Sequence, residues 1–100
     1  MVKIELLTYT FITNYRGGIY CTQVKAENVF KSVFAWTQKI KTEKEEIKYL
    51  GDKIIKELEV LSKDQDHKPI LLTGLKNIWF ATYPTHQGIF SINIVQTDIN

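Results

Sequence analysis

Residues 7–26 read LTYTFITNYRGGIYCTQVKA. The first half is dense in Thr, Tyr, Phe and Ile, side chains that suit a pleated, partly buried surface, and the second half resumes that character after two glycines. Gly17 and Gly18 accept positive φ, so Asn14, Tyr15, Arg16, Gly17 and Gly18 are expected to form a turn. The reading is a β-hairpin with strands over 3–14 and 19–25.

Beyond this ribbon the apolar spacing changes from two to between three and four. Val29, Val33, Trp36 and Ile40, widened by Phe30 and Phe34, predict an amphipathic helix over 27–41. Thr42 with Glu45 three positions on has the form of a capping box, so a second helix is expected to start there. Its buried stripe would be Ile47, Leu50, Ile54, Leu58 and Leu61. Gly51 interrupts it at a cost of about 1 kcal/mol, so one helix bent there is expected, the alternative being a break with Asp52 capping a new turn. Residues 62–69 read as a solvated loop around Asp64, Asp66 and His67. An Ile70 to Leu72 run follows, then β-like residues 77–83, a turn over 84–88 and a last strand over 89–97. The predicted fold is α+β and two-layered: chain order ββααββ, an antiparallel sheet of two β-hairpins with two helices on one face.

Composition sets the frame for function. The 100 residues and 11.7 kDa suit a single domain over 1–100. With 44% apolar and 24% charged residues, the chain is neither disordered nor collagen-like. A net charge of +2, from twelve lysines and one arginine against eleven carboxylates, argues against a nucleic-acid partner, which would favour clustered arginines. Cys21 is the only cysteine, so no internal disulfide forms and a reducing, cytoplasmic setting is expected. The amino terminus lacks the apolar core of a signal peptide, and no run approaches the roughly 20 apolar residues of a membrane span.

The strands carry large apolar side chains at both parities, where a half-exposed strand alternates. Ile4, Leu6 and Ile12 oppose Leu7, Tyr9 and Phe11. Ile78 and Phe80 oppose Trp79, Ala81 and Tyr83, and Phe90, Ile92 and Ile94 oppose Ile89 and Val95. One layer of helices covers only one of these sets. The second face is then exposed, covered by the terminal segments, or buried against another chain; burial in a homodimer or against a protein partner is the expectation, with Tyr9, Phe11, Tyr20, Trp79 and Tyr83 as the candidate contact residues. The alternative from another class is small-ligand or single-stranded nucleic-acid binding on an aromatic sheet face.

No catalytic, metal or cofactor site emerges. Asp64, Asp66 and His67 lack the glycine and terminal glutamate of a calcium loop. His86 has no nucleophile or orienting acid near it in sequence. Cys21 reads as a packed thiol, Glu45 as a helix cap, and Gly17 and Gly18 as turn residues rather than an anion nest. A non-enzymatic protein is expected.

Two resemblances go further. Tyr15, Arg16, Gly17, Gly18, Ile19, Tyr20, Gln23, Val24 and Ala26, followed by Trp36, resemble a pattern in small uncharacterised bacterial proteins. Asn77, Ile78, Trp79 and the closing Ile92, Asn93, Ile94, Val95 continue that pattern. It implies bacterial origin and no activity. More distantly, the opening of strand, Gly-Gly turn, strand and helix resembles the partner-binding half of HicB-type antitoxins, without the Pro-Gly turn of their middle segment.

Overall fold

The first hairpin forms as expected, with a tighter turn. The computed structural model describes residues 5–97, so Lys3 and Ile4, which the pattern joins to the first strand, lie outside the described residues. Strand β1 is Leu7–Tyr15 and β2 is Gly18–Ala26. Only Arg16 and Gly17 lie between them, with φ of 48° and 84°; two successive positive φ values mark a type I′ turn, whose twist matches that of the strands. Gly18 is already strand. The pairing runs from Tyr15↔Gly18 to Leu7↔Ala26 without a bulge.

Helix α1 is Val29–Lys41, and the Asn28 side chain caps it by accepting from the Lys31 N–H at 2.9 Å. The second helix departs from the expectation. Thr42 ends α1 instead of starting α2: its hydroxyl donates back to the Lys39 carbonyl at 2.6 Å. Residues 43–50 are turns, and Tyr49 takes a left-handed φ of 65° that no helix passes through. Helix α2 begins only at Asp52, with Gly51 as its extended N-cap, and ends at Ser62. Ile47 and Leu50 are nevertheless buried, so the apolar stripe read from the sequence is real, two of its five residues supplied by loop.

Among the described residues the sheet has five strands, not two hairpins alone. A single 3-10 turn, Gln65–His67, leads to a two-residue strand β3, Ile70–Leu71, which pairs with Phe80 and Trp79. Strand β4 is Ile78–Thr85, β5 is Gly88–Gln96, and the turn between them is His86 and Gln87, which leaves Pro84 inside the strand. The antiparallel order is β2-β1-β5-β4-β3. The two hairpins thus join through β1 and β5, with Phe11 opposite Ile94 and Asn14 opposite Ser91.

Both helices lie on one face, α1 over β1 and β2 and α2 over β4. Beneath them Phe11 stacks on Trp36 at 5.4 Å, Tyr15 stacks on Phe90 at 3.8 Å, and Trp36 meets Phe90 edge-on at 6.0 Å. This aromatic seam with Ile40, Ile55, Leu58, Ile92 and Ile94 is the core.

Candidate functional site

Period-two alternation decides which strand residues see the helices, and it places the candidate contact residues on the inner face. Tyr9, Phe11 and Tyr83 are at most 2% exposed, buried under the helices. Tyr20 and Trp79 are partly buried and pack against the same core, Trp79 edge-on to Tyr9 at 6.1 Å. None of the five stands on the uncovered side. Aromatic rings carry the largest apolar area, so the covered face claims them first. Phe80 is the one aromatic among the described strand residues of the uncovered face, which therefore offers no platform for stacked bases.

That uncovered face is built from the other parity. Across its middle the register sets Cys21, Ile12, Asn93, Phe80 and Ile70 side by side. The neighbouring row is Gln23, Thr10, Val95 and Ile78. Toward the turns stand Ile19, Asn14, Ser91 and Thr82. Ile12, Ile70, Ile78, Phe80 and Val95 make one apolar cluster, Ile19 and Ile89 add apolar side chains near the turns, and most other positions are uncharged and polar. Lys25 is the only charged side chain among the described strand residues of this face. Its polar groups bond within the face: Gln23 Nε2 donates to Thr10 Oγ1 at 3.0 Å, and Thr10 Oγ1 and Thr97 Oγ1 are 2.7 Å apart. Such groups lose little when water leaves, because their hydrogen bonds are already made. Asn93, on the middle strand of the sheet order, has no side-chain hydrogen bond among the described residues.

A second cluster gathers where the two hairpin turns meet the loop before α2. Arg16 Nη1 donates to Gln87 Oε1 at 2.8 Å and to the Gln87 carbonyl at 3.2 Å, and the guanidinium sits 4.0 Å over the Tyr49 ring. The Tyr15 hydroxyl donates to the Tyr49 carbonyl at 3.0 Å, which fixes that residue in its left-handed conformation. His86 Nδ1 lies 2.7 Å from Glu57 Oε2, and the His86 backbone N–H donates to Oε1 at 3.3 Å. These bonds hold the Glu57 carboxyl below the usual carboxylate range. The acid that orients His86 comes from α2, which no local reading of residues 83–88 reveals. An open cleft of about 520 Å³ beside them is lined by Lys48, Tyr49, Gly51, Lys53, His86 and Gln87 among others. No nucleophile with a bonded base is found in it.

The remaining candidates take structural roles. Asp64 caps the 3-10 turn: Oδ1 accepts from the Asp66 N–H at 2.9 Å and Oδ2 lies 3.2 Å from His67 Nδ1. Among the described residues no three metal-ligating side chains converge. Glu45 caps no helix, since none begins at Thr42. Cys21 is exposed on the uncovered face and not packed in the core. Among the described residues no helix is long and apolar enough to cross a membrane. Compared with known proteins, the chain matches no family model, no curated protein and no solved structure.

Proposed function

We propose that this chain is a protein-contact module that works as a homodimer, two copies stacking the uncovered faces of their sheets. The observation that carries this is the near absence of charge on that face in a chain that is 24% charged. A face with a single lysine stacks on its own copy without opposing like charges across the middle, whereas the helical side, studded with Lys and Glu, does not. The Ile12, Ile70, Ile78, Phe80 and Val95 cluster supplies apolar area. Asn93 supplies self-complementarity, because an amide donates and accepts and so pairs with its own copy across a two-fold axis. Strands about 30 Å long and 4.8 Å apart give a face of roughly 30 by 20 Å, comparable with one side of a standard interface of about 800 Å².

Mass measured by light scattering tests this. Twice the 11.7 kDa chain mass or a higher multiple is expected at micromolar concentration. Asn93→Asp places two carboxylates against each other at the axis, so this contact is lost at neutral pH and restored in acid, where one carboxylate of the pair binds a proton. A wild-type protein that stays monomeric throughout overturns the reading.

A further inference from the structure

The two edges of the sheet are treated differently by the sequence. Beyond β4 the edge is covered at Trp79 and Phe80 by the two-residue β3 and interrupted at Pro84, which has no N–H to offer. The opposite edge is β2, nine residues long, without proline or bulge. In a hairpin with a two-residue turn the flanking pair Tyr15↔Gly18 exchanges both hydrogen bonds, so the even-numbered residues of β2 bond to β1. Ile19, Cys21, Gln23 and Lys25 then direct N–H and C=O outward. Among the described residues no backbone hydrogen bond from turns or loops reaches them. Ile19, Cys21, Gln23 and Lys25 are all exposed, so the row can be approached, and grooves of about 250 and 530 Å³ separate Cys21 and Thr22 from Glu43 beside it.

We infer that a second copy of this chain adds to this edge, β2 pairing antiparallel with the partner's β2 about a two-fold axis at Thr22. This surface is separate from the face proposed above and does not rest on it. The register that pairs all nine residues sets Thr22 on itself and Tyr20 opposite Val24 of the partner subunit, a favourable aromatic and β-branched pair. On the other face Ile19 meets Lys25 of the partner subunit, and Cys21 meets Gln23 of the partner subunit, so no like charges oppose. Each outward pair is then a hydrogen-bonded one, the mode by which exposed sheet edges bind extended chains. Lys39 and Glu43 sit together beside Thr22, where the Thr22 hydroxyl donates to Glu43 at 3.2 Å. The two-fold operation therefore brings a cation and a carboxylate from each copy around the axis.

The test uses the full chain carrying Phe80→Glu, which disables the face contact and leaves the edge intact. Light scattering is expected to give twice 11.7 kDa for this variant. Adding Gln23→Pro, which removes an outward N–H at a position where an edge strand accepts proline, is expected to halve that mass with the circular dichroism unchanged; Ile19→Pro serves where Gln23→Pro unfolds. Oxidised Gln23→Cys in the Phe80→Glu background is expected to form a covalent dimer through Cys21. A monomeric Phe80→Glu protein, or a dimer that survives both proline variants, overturns the inference. A Gln23→Pro protein, otherwise wild type, that falls to monomer supports the edge contact and overturns the face contact, so the two proposals fail separately.

Discussion

Thr13 shows how one hydroxyl can weaken a core. It is 3% exposed on the helix-covered side of β1, and its Oγ1 has no hydrogen-bond partner among the described residues. Thr13→Val keeps the shape and removes the unsatisfied group, so it is expected to stabilise the fold by about 1 kcal/mol, read as a higher Tm. Tyr83 makes the opposite case at high pH. Burial pushes its phenol far above the ordinary value, and burial raises Tyr15 too, against the pull of Arg16. An unfolded tyrosine releases its proton near pH 10, while the buried one holds it, so the stabilising effect is complete below pH 10 and is lost as pH rises further. Urea unfolding between pH 9 and 12 is expected to show that loss, and Tyr83→Phe to reduce it. Residue type alone could not place these groups. Parity correctly separated Tyr9 from Ile12 and Phe80 from Trp79, but which set the helices cover depends on where α1 and α2 land.

At the level of elements, strands and the first helix were legible because their signals are local. Arg16 and Gly17 fix the turn, the alternation fixes the inner face, and the spacing of Val33, Trp36 and Ile40 fixes the buried side of α1. The start of α2 was legible only as an alternative, a break at Gly51, because Thr42 and Glu45 have the form of a cap while Tyr49 is held out of the helix by Tyr15 and Arg16, more than thirty residues away. The same holds for the Glu57 to His86 contact, which ties α2 to the β4–β5 turn. His86 lowers the Glu57 pKa, so this contact stabilises the fold above the ordinary carboxylate range and stops doing so as pH falls through the lowered value. Glu57→Gln is expected to lower Tm at neutral pH, with the gap to wild type closing in acid. Removing the ring that joins the helical and sheet layers is more severe: Trp36→Ala is expected to cost about 3–5 kcal/mol in denaturant titrations, against far less for the partly exposed Phe34→Ala.

Over the whole molecule, the uncovered face and the outward row of β2 are the two surfaces on which the proposed contacts rest. The face was legible only in part and the β2 edge not at all, since the excess of apolar strand positions is visible in the text of the sequence while strand order is not. That order also governs how the chain reaches its native state. The central ladder joins β1 to β5, residues such as Phe11 and Ile94 that stand far apart along the backbone. Each ribbon can zip up on a microsecond scale, but the pairing between them waits on a long loop closure. Stopped-flow refolding is therefore expected in milliseconds to seconds, and slowed by substitutions along β1 and β5 more than by those in the turns. During synthesis the first ribbon leaves the ribosome before α1 can cover Tyr9 and Phe11, and its inner flank, with Tyr15 lacking Phe90, stays unmatched until the last strand is made. A nascent chain in that state is a natural client for holding chaperones, whatever the finished protein goes on to touch.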